Sequence, residues 1–417
     1  MNICCFSRVN YWHGIKGGMD LHGRLLAEGM AGRGHSLSMI STRHPSGLIE
    51  EQFNGVQVYF LPDTVYGSRR HGWAAASADK FSELHRQRPF DLVWSQSFDA
   101  FGLADGRKAA SPVPIVATLH GSIQQEYATF LANIGPGVLR PLQTIARAAG
   151  LYYSYFKVQK PLLSIADRII TVSPGVAEDL GRWYGKAVGQ QCTTVPNGVD
   201  TGLFKPDAGQ RRSLRQSLGL GEKDVALLTM GRLTHEKGHH LAVRAVKSLL
   251  EADVPARLIV VGDGPARRAL ERLARRIGLS DRAVFRGQVD NSLMPGYYNA
   301  TDMVLMPTLT VEGLPFVLLE AMSCARPVIA SRIGGIRELI HDGKNGLLVE
   351  PGNLPVLVAA IMRLFNDNAL AARLGEAARA AILDDFCLDR MVDRTLRVMT
   401  VAVDEKKNSG LSGEREP

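Results

Sequence analysis

Short apolar runs recur along this chain, each followed by a stretch in which apolar positions return every three or four residues. In the first half these runs fall at residues 3–6, 56–61, 92–94, 115–119 and 169–172. Runs this short, rich in β-branched and aromatic residues, predict strands, and the helical period between them predicts crossovers within one parallel sheet. Residues 1–195 therefore read as one α/β domain. The segment Val195-Pro-Asn-Gly-Val-Asp-Thr-Gly-Leu-Phe-Lys-Pro206 is dense in turn formers and reads as a connection. A second series then begins, with apolar runs at 225–230, 258–261, 284–286, 303–306, 328–330 and 347–349, so residues 206–385 predict a second domain of the same kind. The expected architecture is α/β, with two doubly wound, Rossmann-like domains whose sheets present their carboxyl edges to a common cleft, where ligands bind. Residues 386–403 predict a helix returning to the N-terminal domain, and the polar residues 404–417 a disordered tail.

Length supports the division, since 417 residues exceed what one core organises. With 45% hydrophobic residues the chain has ample core material, while no apolar run approaches the ~18 residues that cross a bilayer. Met-Asn-Ile-Cys-Cys-Phe at the start reads as a first strand and not as a signal peptide, and Cys4, Cys5, Cys192, Cys324 and Cys387 lack metal-ligand spacing. Reduced thiols and a cytoplasmic location are the expectation. The formal charge of +8 suits nucleic acid, an anionic membrane or phosphorylated substrates. The cations are spread over many helices, without zinc-finger spacing, a basic arm or an aromatic RNA-binding signature, which argues against nucleic acid.

The most informative spacing is Glu312-Gly-Leu-Pro-Phe-Val-Leu-Leu-Glu320. Pro315 lacks an amide hydrogen and is favoured in a first helical turn, so a helix is expected to begin at Leu314 or Pro315. Glu312 then sits in the approaching loop, and Glu320 lies inside the helix. The amides of Gly313, Leu314, Phe316 and Val317 would face an anion at the positive end of the helix dipole. Two glutamates here could equally be a dipole-complementing charge and a solvated surface residue. The buried strand expected at 303–306 favours a ligand, because it places the pair at a strand's carboxyl end.

Arg232 and Lys237, in Gly231-Arg-Leu-Thr-His-Glu-Lys-Gly238, follow another strand and could neutralise a departing diphosphate. Gly262-Asp-Gly264 lacks the third glycine of a dinucleotide fingerprint and reads as a tight turn near the ligand. Gly17-Gly18 closes the first strand-to-helix loop, where backbone can approach a ligand. His120 follows the strand at 115–119. No Asp-x-Asp pair or His/carboxylate cluster suggests a metal, and neither Gly-x-Ser-x-Gly nor a Walker motif is present.

The Arg232/Lys237 loop, the Glu312–Glu320 run, Val195-Pro-Asn-Gly-Val-Asp200, Val172-Ser-Pro-Gly175 and Ile333-Gly-Gly-Ile-Arg-Glu338 through Asp342-Gly-Lys-Asn-Gly-Leu-Leu-Val349 together resemble the retaining glycosyltransferases of family 4, with the GT-B fold. The resemblance spans nearly the whole chain and is strongest in its C-terminal half. It implies a nucleotide-sugar donor in the C-terminal domain, an acceptor against the N-terminal one, and no cofactor or metal. By resemblance, Arg232 and Lys237 bind the donor diphosphate, Glu312 contacts sugar hydroxyls and Glu320 holds the ribose. Gly287, Gln288 and Val289, in Phe285-Arg-Gly-Gln-Val289, frame the base. His120 matches an active-site histidine near the donor sugar, and Gly17 and Gly18 close over the phosphates. One departure stands out: Ser323-Cys-Ala-Arg-Pro327 carries Ala325 where the family commonly has glycine, a mild change if φ is negative there.

The implied reaction is hexose transfer with retention to a saccharide or lipid-linked saccharide, in assembly of a surface polysaccharide or glycolipid. A sugar phosphorylase, a nucleotide-sugar epimerase and a non-catalytic sugar-nucleotide binding module are alternatives on this architecture. Residues 137–166 interleave aromatic and aliphatic residues with Arg140, Arg147, Lys157 and Lys160, the composition either of a core helix with a solvated face or of a peripheral contact to an anionic leaflet.

Overall fold

The computed structural model describes residues 1–14, 17–104, 113–121 and 148–413. The chain divides into two compact units, one formed by Met1–Gln124, Pro136–Asn197 and Leu388–Pro417, the other built on Gly198–Cys387.

Among the described residues the first unit holds eight strands: β1 (Asn2–Phe6), β2 (Ser36–Thr42), β3 (Glu50–Phe53), β4 (Val56–Leu61), β5 (Leu92–Gln96), β6 (Ile115–Leu119), β7 (Arg168–Thr171) and β8 (Cys192–Thr194). Their order is β3-β4-β2-β1-β5-β6-β7-β8, parallel except for the β3–β4 pair. Three of these strands are not apparent as apolar runs. Serines interrupt β2, β3 is a solvent-facing edge strand reading Glu-Glu-Gln-Phe, and β8 is only Cys-Thr-Thr. β3 and β8 are the edges of the sheet, where no apolar face is needed on the solvent side, whereas β2 is an inner strand whose serines are partly or fully buried. Helices used below are α1 (Gly18–Ala31), α2 (Trp73–Gln87) and α3 (Pro174–Tyr184).

The second unit is a six-stranded parallel sheet ordered β11-β10-β9-β12-β13-β14, comprising β9 (Val225–Met230), β10 (Ala256–Val261), β11 (Ala283–Gly287), β12 (Met303–Met306), β13 (Val328–Ser331) and β14 (Leu347–Val349). Its helices include α4 (His239–Glu251), α5 (Met294–Ala300), α6 (Phe316–Ser323) and α7 (Asn368–Asp385). Each of these strands coincides with a predicted apolar run, because a strand covered on both faces must be apolar along its length. The order reverses beside β9, which makes the carboxyl ends of β9, β10 and β12 a switch point.

Two expectations are corrected. The helix after Glu312 starts at Phe316, while Pro315 is extended (φ −75°, ψ 128°) and serves as the capping residue. Second, the chain from residue 404 onward is not a tail: the last helix, α8, runs Leu388–Gly413 within the first unit. Its Met391 and Val392 share a core with Leu26 and Met30 of α1, and Arg33 bridges Asp389 and Asp393 at 2.7 and 3.1 Å. Glu405 and Lys406 pair with Arg168 and Asp167 at the start of β7, which gives the polar extension partners that composition alone does not reveal. Residues 414–417 lie outside the described residues.

Candidate functional site

Backbone contacts at the carboxyl edge of the second sheet build the candidate site. After β9 the chain passes Gly231 and exposed Arg232, turns, and enters α4 at Gly238, whose φ is +70°. A Cβ on Gly238 would lie 1.8 Å from the Pro307 carbonyl oxygen, so only glycine lets this loop touch the one after β12. The Leu309 amide donates to Glu236 O at 2.7 Å, sealing the two loops together. Gly262 (φ +124°) likewise lies under Gly231, where a Cβ would come 1.9 Å from its carbonyl oxygen. Buried His239 anchors the Arg232 loop from below. Its Nε2 donates to Arg232 O at 3.3 Å and its Nδ1 accepts from Thr229 Oγ1 at 3.0 Å, while burial pushes its pKa down to about 4 and keeps it neutral.

This scaffold brings Lys237 and Glu312 together: Lys237 Nζ is 2.5 Å from Glu312 Oε1, which also accepts from Thr308 Oγ1 at 3.2 Å. The two side chains keep 30% and 15% exposure, enough to meet a ligand. From the far side, the Gly335 amide donates to Glu312 O at 2.9 Å, and Gly334 (φ +52°) packs where a Cβ would be 2.4 Å from that same oxygen. The Ile333-Gly-Gly run thus fixes the backbone of Glu312.

Amides of the expected set lie at the mouth of α6. The amides of Phe316 and Val317 have no acceptor among the described residues, whereas Leu318 donates to Pro315 O at 3.2 Å and Leu314 is engaged. Gly313 leads into this mouth. Glu320, inside α6, is 3% exposed, so it is not a solvated surface residue. Its Oε2 accepts from Tyr298 of α5 at 2.6 Å, and burial raises its pKa to about 7. Gly287 (φ +70°) ends edge strand β11 beside β10, where the Gly262 amide donates to Gly287 O at 2.7 Å, and exposed Gln288 and half-buried Val289 follow it. Thr308, His239 and Tyr298 were not singled out from sequence. The adjacent Pro307-Thr308 after a predicted strand was the one available signal, whereas His239 and Tyr298 act from inside helices.

The remaining predicted residues belong to the first unit. Gly17 caps α1, which begins at Gly18, and its amide donates to Asp20 Oδ2 at 3.2 Å. His120, after β6, is half-buried, stands edge-on to His22 at 4.5 Å between ring centres, and takes a contact from Gln96 Nε2 at 3.4 Å. Burial lowers its pKa to about 4. Of residues 137–166, those at 137–147 lie outside the described residues. In the remainder Val158, Leu162 and Leu163 are core, while Tyr152 and Phe156 are exposed beside Lys157 and Lys160, and Trp183 of α3 is exposed as well. Ala325 has φ +54°, so the expected mild substitution is a strained one.

Comparisons with known proteins give the same assignment for both units. The family model described as "Glycosyl transferases group 1" matches residues 210–381, and that described as "Glycosyltransferase Family 4" matches residues 16–203. D-inositol 3-phosphate glycosyltransferase 2 of Catenulispora acidiphila is 30% identical over 322 residues, covering 72% of this chain and 71% of that protein. Among solved structures, sucrose-phosphate synthase of Thermosynechococcus elongatus superposes with a TM-score of 0.77 at 23% identity, covering 95% of this chain and 98% of that one. HepE of Anabaena, solved with UDP and glucose, gives a TM-score of 0.73 at 21% identity, covering 96% of this chain and 100% of that one.

Proposed function

Because this chain belongs to the family 4 glycosyltransferases and has the GT-B fold, we propose that it moves a hexose from a nucleotide-diphosphate sugar to a saccharide or lipid-linked saccharide with retention of configuration. The observation that carries this reading is the Lys237–Glu312 pair beside the open amides of Phe316 and Val317. A diphosphate placed there meets an ammonium and a helix N-terminus, and exposed Arg232 supplies a planar fork. Lys237 then exchanges its carboxylate partner for phosphate, which frees Glu312 to accept from sugar hydroxyls. Glu320, beneath, receives the ribose, and Gly287, Gln288 and Val289 flank the base.

In the reaction the bond from the anomeric carbon to the diphosphate oxygen breaks as negative charge grows on that oxygen. The leaving oxygen takes the proton of the acceptor hydroxyl, whose oxygen forms the new bond on the same face. Stabilising the leaving group is then the main demand on the protein. Side-chain cations and amides supply it, which is the basis for proposing a metal-independent enzyme. Assembly of a surface polysaccharide or glycolipid suits the exposed aromatic and basic residues Tyr152, Phe156, Lys157, Lys160 and Trp183, which fit peripheral contact with an anionic leaflet.

The test is a thermal-shift screen of uridine, guanosine and adenosine diphosphate sugars, followed by transfer assays with the one that stabilises. Lys237→Ala should lower transfer roughly 10²–10³-fold while leaving the unliganded melting temperature near wild type. Wild-type turnover in that variant, or nucleotide release that ignores the saccharide acceptor, would defeat the proposal.

A further inference from the structure

The carboxyl edge of the first sheet carries a second cationic site. The loops after β1, β2, β4 and β5 converge on Arg8: the Thr42 hydroxyl donates to Arg8 O, the Gly67 amide donates to Thr42 Oγ1 at 3.0 Å, and Arg8 Nη1 donates to Gly67 O. Buried Asp99 organises the cluster. Its Oδ2 accepts from the Arg8 amide at 3.0 Å, and its Oδ1 lies 3.2 Å from Arg8 Nε and 3.1 Å from Arg69 Nε, so two guanidinium groups share one carboxylate oxygen. Arg69 Nη2 donates to Ser97 Oγ at 3.2 Å, and Ser97 is held at φ +58°, a conformation a non-glycine residue keeps only when its surroundings impose it.

Asp99 accepts from Arg69 Nε and faces Arg8 Nε without a hydrogen bond, leaving Arg8 Nη2 and Arg69 Nη1 without acceptors among the described residues, on side chains 23% and 21% exposed. Two pre-oriented arginine ends with open N–H groups match a phosphate or carboxylate group, the recognition for which arginine's fork is suited. The chain spends a buried aspartate and a strained serine on aiming them, more than a solvated surface cation requires. We infer that Arg8 and Arg69 form an anion site in the first unit and that the acceptor sugar carries a phosphate. This inference rests on the proposed transfer reaction only in assigning the anion to the acceptor.

The phosphate is borne either by a soluble ester or by a lipid headgroup, and labelling of full-length protein with an arginine-selective dicarbonyl, read residue by residue by mass spectrometry, separates the two. Glycerol 3-phosphate should protect Arg8 and Arg69 and spare exposed Arg337 if the acceptor is a soluble ester; protection by phosphatidylglycerol vesicles alone assigns a lipid-borne phosphate. Protection by neither overturns the site. Calorimetry provides the second measurement: Arg69→Gln should weaken the protecting phosphate roughly ten- to a hundredfold, Arg69→Lys less, with nucleoside diphosphate affinity unchanged. Equal phosphate affinity in wild type and both variants overturns the inference. Loss of nucleoside diphosphate binding in wild type, with protection of Arg8 and Arg69 intact, would instead refute the transfer reading and leave the anion site standing.

Discussion

The two sheets hold their carboxyl-edge loops by different means. In the second unit backbone lies on backbone: Gly238, Gly262, Gly264 and Gly334, all at positive φ, sit where a Cβ would come within 2.5 Å of a carbonyl oxygen. In the first unit Gly102 makes one such contact, a Cβ there lying 2.3 Å from Ala74 O, but positive-φ Gly14 and Gly47 meet nothing within 4 Å, and the other loop ties are side chains, Asp99 to Arg8 and Arg69, Gln96 to His22 and His120. Backbone packing tolerates no side-chain variation and suits a ligand part that never changes, such as a diphosphate. Loops tied by side chains can be retuned one residue at a time, which suits a changeable acceptor.

The largest effect should come from breaking the backbone contact. Gly238→Ala drives a methyl group into the Pro307 carbonyl at a left-handed φ, and the second unit should lose about 4 kcal/mol or more. Gly14→Ala, at φ +84° in open space, should cost only about 1–2 kcal/mol. Urea unfolding of the two variants checks the contrast, and equal losses would erase the distinction between the units.

Titration sharpens the comparison next. Glu320 of the second unit keeps its proton up to about pH 7 in the folded chain, whereas an ordinary glutamate releases it near 4.5. The unfolded chain therefore gains relative to the folded one as pH rises from 4.5 to 7, a loss of roughly 3 kcal/mol. Glu320→Gln retains an acceptor for Tyr298 and should exceed wild-type stability at pH 8 by about that amount, with no advantage at pH 4.5. A difference independent of pH would contradict the buried neutral carboxyl. In the first unit His22 and His120 have pKa values pushed down by burial, so their contribution has the opposite sign: it is present above about pH 6.5 and lost as pH falls. His239 of the second unit shares that sign.

The contrast between the units also explains what the sequence disclosed. Each strand of the second sheet was visible as an apolar run, and Arg232, Lys237, Glu312 and Glu320 were found because short motifs beside those strands carry them. Lys237 and Glu312 meet across 75 positions, but each stands in its own glycine-bearing motif at a strand end, and such motifs are local signatures. The first unit kept β2, β3 and β8 hidden behind serines, glutamates and threonines, and its anion site joins Arg8, Arg69 and Asp99 across ion pairs of long sequence separation. No local pattern records such a meeting. The same holds for α8, whose polar end is held by Arg168 and Asp167.

Asp99→Asn tests whether side chains carry the first unit's loops. The substitution leaves two adjacent guanidinium groups without their counter-charge. Because both arginines remain about a fifth exposed, water screens part of the loss, and about 2 kcal/mol is expected instead of the larger penalty of a fully buried pair. A melting curve indistinguishable from wild type would show that the loops after β1, β4 and β5 are held by something other than this carboxylate.

The smallest predicted effect lies where the second unit departs from its own rule. Helix α6 ends in a Schellman arrangement: the Ala325 amide donates to Met322 O at 2.9 Å and the Arg326 amide to Ala321 O at 3.0 Å, with Ala325 at φ +54°. Glycine is the usual residue at that position, and alanine there strains the backbone by about 1–2 kcal/mol. The turn cannot relax, because Gly375 of α7 packs against it so closely that a Cβ would stand 2.4 Å from Ala325 O. Ala325→Gly removes the strain but gives the unfolded chain more freedom, which offsets part of the gain. The variant should be about 0.5–1 kcal/mol more stable than wild type, seen as a small rise in the urea midpoint at unchanged slope. A loss of stability would mean that the Ala325 methyl group packs well enough to outweigh the strain, and that this side-chain contact, like those of the first unit, secures the turn.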